Sequence, residues 1–347
     1  MKIDHFDLTG KKTFIIAELS ANHNQKKQVA LDTVKAAKDA GADAIKLQSY
    51  TPDTITLDVK NEFFQIDQGT LWDGRTLYDL YQEAYMPWDW HEAIFEEAAK
   101  NNIICFSSPF DFTAVDLLEK LNAPAYKIAS FEIQDIPLIE YAASKGKPMI
   151  MSTGIADLED INLAVEACRK VGNNQIVLLK CTSSYPAKLE DANLETLTDM
   201  KQRFGTLVGL SDHTPGFIAP AVAVAKGAKV VEKHFILDKH IGGPDASFSL
   251  NPAEFKTMVD AVRQVESSLG EVSYELSEQS KKNKKFSRSL FIAEDVAEGE
   301  VFTEKNVRSV RPGQGLHPKY YAEILGKKAA QSISKGTPLS WELIQEG

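Results

Sequence analysis

Cysteine is scarce in this chain. Cys105, Cys168 and Cys181 form an odd set, and no two have the spacing of a metal-ligand or CxxC pair. A disulfide framework is thereby excluded, and buried thiols in a reducing compartment are expected. The first ten residues lack an apolar core, so no signal peptide is read there. No apolar run approaches the length that spans a bilayer. Positive charge is in deficit: the formal net charge is -10, which argues against nucleic acid or an anionic membrane as the main partner. An anionic substrate would need lysines or arginines placed locally. No GxGxxG turn follows the first strand-like run, and no compact P-loop occurs. These absences leave a soluble, cytoplasmic chain.

What is present is a rhythm. The 347 residues, 43% of them hydrophobic, suit one large domain plus a small one, or two medium domains. Eight short apolar runs occupy 13–19, 44–48, 103–107, 125–129, 148–152, 176–181, 207–211 and 230–234. Each is nearly continuous in hydrophobicity, as expected of parallel strands buried on both faces. Helical patterns lie between them. Asp157 reads as an N-cap with Asp160 in the first turn, Ile161, Val165 and Cys168 share a face, and Gly172 stops the helix. Eight such units predict an α/β chain folded as a (β/α)8 TIM barrel; an open doubly wound sheet is the alternative. The segment 50–88 reads as a long irregular loop over the mouth. The expected division is a barrel over 1–273, a polar linker over 274–285 and a small mixed β domain over 286–347.

In this architecture chemistry belongs at the C-terminal ends of the strands, and polar residues recur there on all eight. His213 and His234 end neighbouring strands, so their imidazoles can converge on one divalent ion; structural histidines are the alternative. Two protein ligands are too few for a structural zinc site and imply an open position. Lys46 and Lys127, inside otherwise apolar strands, could join the hydroxyls of Ser130, Ser152 and Ser211 in a phosphate or carboxylate cradle, or could simply pair with carboxylates. Glu18 and Glu132 suit acid–base work or salt bridges equally well. Asp245 is presented by a Gly-Gly-Pro-Asp turn. A metal-dependent hydrolase would want an HxH pair on the first strand, and a sugar- or ice-binding module would not need lysines and histidines at strand ends.

Together, IIAELSANH (15–23), IKLQSY (45–50), YKIAS (126–130), STG (152–154), GLSDH (209–213), EKHF (232–235) and GPD (243–245) resemble the sialic-acid synthase family. FSRSL (286–290) and VRPGQG (310–315) resemble that family's small, β-clip-like C-terminal SAF (antifreeze-like) domain. Within the family, GTLWDGRTLY (69–78), KCTSSYP (180–186), FSL (248–250) and LHPKYY (316–321) look most like the pseudaminate-forming branch. Ser183 stands where N-acetylneuraminate-forming members usually carry Asn. The resemblance implies condensation of phosphoenolpyruvate with 2,4-diacetamido-2,4,6-trideoxy-L-altrose, or with a different N-acetylated aldose in the legionaminate and N-acetylneuraminate branches. It implies a divalent cofactor (Mn, Mg or Co) on His213 and His234, which would activate the sugar aldehyde. Glu18 would orient or deprotonate water. Lys46, Lys127, Ser130, Ser152, Ser183 and Ser211 would hold phosphoenolpyruvate, and Gln48, Glu132, Tyr185 and Asp245 the sugar. It further implies a domain-swapped homodimer, in which Arg311 of the second copy would reach the substrate's N-acetyl group. Phe63, Phe64 and Trp72 are candidates to shelter the sugar's methyl group.

Overall fold

The computed structural model describes residues 1–67, 69 and 72–345. Thr70 and Leu71, part of the motif at 69–78, lie outside the described residues. The chain divides into two compact units, Met1–Gly270 and Glu271–Gly347.

The first unit opens with a hairpin of β1 (Lys2–Ile3) and β2 (Phe6–Asp7). Eight parallel strands then close into a barrel: β3 (Phe14–Glu18), β4 (Ala44–Ser49), β5 (Ile104–Pro109), β6 (Tyr126–Ile128), β7 (Met149–Ser152), β8 (Ile176–Cys181), β9 (Leu207–Asp212) and β10 (Val230–His234). β10 pairs with β3, which closes the ring and excludes the open sheet.

Strand alternation sorts the side chains. Residues turned outward, such as Ile15, Ala17, Ile45 and Leu47, meet the helices in a continuous apolar layer. Those turned inward are apolar at the start of each strand. Phe14, Ile16, Ala44, Ile104, Phe106, Ala125, Ile150, Val177 and Val230 fill the lower barrel, and Ile3 and Leu8 of the hairpin region join them from below. The barrel floor is therefore solid, and inward polar residues occur only at the upper end.

The connecting helices follow local signals. Asp157 caps Leu158–Lys170 with a capping box through Asp160, and Ile161, Val165 and Cys168 are buried. Gly41 and Gly227 end their helices at φ of 94° and 91°, where a Cβ would be strained. The segment 50–88 is less irregular than its composition implies. It contains helices Pro52–Ile55 and Leu77–Ala84, the latter capped by the Thr76 hydroxyl, which accepts from the Asp79 amide at 3.1 Å.

In the second unit, β11 (Ser289–Ile292) pairs antiparallel with β12 (Val307–Val310). Leu290, Ile292, Val296, Phe302, Val307, Ile324, Ile333 and Leu339 form its core. The polar stretch expected as a linker carries a short exposed helix, Glu278–Asn283, capped by Ser277. No helix among the described residues is long and apolar enough to cross a membrane.

Candidate active site at the barrel mouth

The inward polar ends of the strands converge. Glu18 on β3 lies in register with both Lys46 on β4 and His234 on β10. Its carboxylate pairs with the Lys46 ammonium, and its other oxygen accepts from the Ser20 amide at 2.8 Å. Lys46 also donates to Ser108 Oγ at 3.2 Å. Lys127 Nζ donates to Ser152 Oγ at 2.7 Å and to the Ile128 carbonyl at 3.0 Å. Between the lysines stands Glu232: its Oε1 is 3.8 Å from Lys46 Nζ and 3.7 Å from Lys127 Nζ, and accepts from Ser211 Oγ at 3.1 Å. Two ammoniums and two carboxylates thus share one buried floor. Removing an ion from water still costs roughly several kcal/mol after relaxation, so four of them make a poor stability device and a good binding one.

Burial governs the protonation of this floor. Opposed by Lys46 and reinforced by Glu232, it pushes the Glu18 carboxyl up to about 7. It also acts to raise Glu232, but Lys127 and Lys46 outweigh it and hold that carboxyl below its usual range. Burial lowers the Lys127 ammonium. Glu132, in the 3-10 turn Ser130–Glu132, is raised to about 7 by burial against the opposing pull of Lys127.

Beside the lysines is a hydroxyl corner. Ser130 Oγ lies 2.8 Å from Ser183 Oγ and accepts from the Ile155 amide at 3.1 Å. Gly154 passes so close that a Cβ there would collide with Ser183 and lie 2.6 Å from Ser130 Oγ. Glycine at position 154 therefore lets the Ser130 and Ser183 hydroxyls pack directly against the backbone at the strand ends.

The histidines form the rim. Their ring centroids are 5.3 Å apart. His213 Nδ1 lies 3.0 Å from the Thr182 carbonyl, which fixes a proton there and leaves Nε2 unprotonated with a free lone pair. His234 Nδ1 is buried with no hydrogen-bond partner and lies 3.7 Å from Asp245 Oδ2. Burial lowers both imidazoles, and His213 and the lysines lower His234 further. Neutral imidazoles with free lone pairs suit a divalent ion. Among the described residues no group of three His, Cys, Asp or Glu could hold a metal, so oxygen ligands from elsewhere would have to complete the shell.

Asp245 accepts from Ser20 Oγ at 2.5 Å, and burial raises its carboxyl. The Tyr185 ring lies tilted against His213 at 4.4 Å and Phe248 at 5.3 Å, centroid to centroid, while Trp72 reaches it at 5.9 Å. The segment 50–88 thus touches the mouth through Trp72, whereas Phe63 is exposed. Gln48 is half-buried at the end of β4. Arg311 is exposed, in the second unit, just after β12. Sequence reasoning did not single out Glu232, although it lies two residues before His234 and so faces the same way. Phe248, against His234 at 4.9 Å, carried no chemical signal.

Comparison with known proteins gives this geometry a context. Residues 33–274 match the NeuB family, and residues 287–345 match the SAF domain. Pseudaminic acid synthase of Campylobacter jejuni is 52% identical, over 98% of each chain. Pseudaminic acid synthase of Helicobacter pylori is 49% identical, over 95% of this chain and 97% of that one. A crystal structure of N-acetylneuraminic acid (sialic acid) synthetase from Leptospira borgpetersenii aligns at 32% identity with a TM-score of 0.69, covering 79% of this chain and 91% of that one.

Proposed function

The chain belongs to the NeuB family, and on that premise we propose that it forms pseudaminic acid and phosphate from phosphoenolpyruvate, water and 2,4-diacetamido-2,4,6-trideoxy-L-altrose. The observation that carries the chemistry is the floor of two buried lysines beneath two neutral histidines. The choice of sugar is supported by identity near one half, over almost the whole chain, with pseudaminic acid synthases.

Phosphoenolpyruvate brings a phosphate and a carboxylate. Lys46 and Lys127 would neutralise them, and Ser130, Ser152, Ser183 and Ser211 would donate hydrogen bonds in place of water. With the enol so held, its C3 attacks the sugar's aldehyde carbon: a C–C bond forms, the carbonyl π bond opens, the former aldehyde oxygen takes up a proton to become a hydroxyl, and C2 is left electron-poor. Water then adds at C2, and the C2–O bond breaks to release phosphate. Glu18, ionised beside Lys46, would take the proton from that water. Gln48, Glu132, Tyr185 and Asp245 would bind the sugar's hydroxyl and acetamido groups. A divalent ion held by His213 and His234 would supply Lewis-acid polarisation of the aldehyde oxygen. Arg311 would come from a second, domain-swapped copy and hold an N-acetyl group. The buried, unpaired thiols of Cys105, Cys168 and Cys181 are in keeping with work in the cytoplasm.

The test is a panel of N-acetylated aldoses, each incubated with phosphoenolpyruvate. Phosphate release should be fastest with the altro sugar, and the product should match pseudaminic acid by mass and NMR. Preference for another aldose would overturn the sugar assignment while sparing the chemistry. In labelled water the oxygen should enter the sugar acid; label in phosphate would refute C–O cleavage.

A further inference from the structure

Two charged residues beside the histidines take no part in the mouth. Lys233 and Asp212 are partners in the β9–β10 register. Each is one position from a histidine, so alternation turns them outward while His213 and His234 turn inward. Ala17, the partner of Lys233 on β3, lies in the outer apolar layer, which confirms the direction. The two side chains are 0% and 2% exposed. Lys233 Nζ lies 2.5 Å from Asp212 Oδ2 and also donates to the Thr214 carbonyl. Asp212 Oδ1 accepts from the Thr214 amide at 3.0 Å.

A buried ion pair gains little over a well-packed apolar pair, so net stability does not account for it. An apolar pair, however, could not grip the backbone. Here one ammonium holds the residue before His213 and the residue after it, and that ammonium is itself rooted next to His234. The two strand ends are joined at the level of the rim. With the Thr182 carbonyl on His213 Nδ1, the imidazole is fixed in both position and rotation.

We infer that Lys233 and Asp212 clamp the spacing between the two imidazoles, which makes Lys233 a positioning residue for the divalent ion. This rests on the reading of His213 and His234 as ligands given above. Only two protein groups would hold the ion, so displacement of one removes half of the protein's coordination.

The test measures Mn2+ binding from the free-ion EPR signal in the full chain, Lys233→Met, Asp212→Asn and His213→Ala. His213→Ala should abolish binding. Lys233→Met should weaken it by about 10- to 100-fold, the range typical of groups that orient metal ligands, while phosphoenolpyruvate affinity without metal stays within about twofold. Asp212→Asn keeps an acceptor for the Thr214 amide but loses the charge; it should give a smaller loss and decides the matter where Lys233→Met does not fold. Unchanged Mn2+ affinity in the folded variant overturns the clamp. So does a parallel loss of Mn2+ and phosphoenolpyruvate affinity, which would mark a general stabilising pair. Equal Mn2+ binding by the unsubstituted chain and His213→Ala would instead overturn the ligand reading, and the clamp with it.

Discussion

Glu18 pairs with Lys46, yet burial holds its carboxyl near 7. A carboxylate that accepts a proton from water must first be ionised. The kcat/KM of the proposed reaction should therefore fall below about pH 7, and Glu18→Gln should remove that limb and lower kcat by roughly 100-fold or more. Rate profiles of both proteins check this; a limb that survives the substitution belongs to another group. Glu132 supports a test on stability. Its carboxyl is raised from 4.5 to about 7 by burial, so the folded chain holds a proton that the unfolded chain releases. That contribution is fully present below about pH 4.5 and is lost as pH rises through about 7. Gln cannot ionise. Between about pH 4 and pH 8 the Tm of Glu132→Gln should accordingly gain a few degrees on that of the unsubstituted chain, by scanning calorimetry. A constant difference across that range would mean that the Glu132 carboxyl titrates at the same pH in the folded and the unfolded chain.

At the scale of elements, two glycines separate fold from site. A Cβ at Gly209 on β9 would collide with the Val230 carbonyl and lie 2.7 Å from Leu179 Cδ2. Backbone in a closed barrel cannot yield, so Gly209→Ala should lower Tm by roughly 5 °C. At Gly154 the neighbours are side chains, the Ser183 and Ser130 hydroxyls and the Cys181 thiol, which can turn aside at the expense of the cradle. Gly154→Ala should keep its Tm and raise the KM for phosphoenolpyruvate by about 10-fold. Thermal melts and initial rates on both variants distinguish the two effects. Much of this level was legible in sequence. The barrel strands fall where continuous apolar runs ended in polar residues, because a parallel strand buried on both faces tolerates polarity only where it leaves the core. Lys46, Lys127 and His234 were visible by the same contrast. Glu232 was hidden, since its role comes from lysines on β4 and β6, remote in the chain. The Lys233–Asp212 pair was hidden too, because cross-strand register cannot be read from either strand alone. The cap of Leu77–Ala84 was obscured by the turn-rich residues around it.

For the whole molecule, Arg311 poses the question of how many chains make one site. It belongs to the second compact unit, after β12. In a swapped homodimer, Arg311→Ala supplies a sound barrel with a defective arm, and His213→Ala the reverse. Each should be weakly active alone. Mixed with subunit exchange, they should regain about a quarter of full activity, since half the dimers are mixed and each holds one complete site. No recovery in verified mixed dimers would mean that each chain completes its own site. The barrel floor has a different consequence. Phe14, Phe106 and the residues of the N-terminal hairpin region seal it from below, so the reaction chamber is a cul-de-sac. The side chains of Lys46 and Lys127 are 3% and 2% exposed at its end, while those of His234 and Asp245, each 12% exposed, stand nearer the entrance. Traffic through one doorway must queue: if Lys46 and Lys127 hold phosphoenolpyruvate as proposed, it would enter before the sugar, and phosphate would wait behind the sugar acid until it departs.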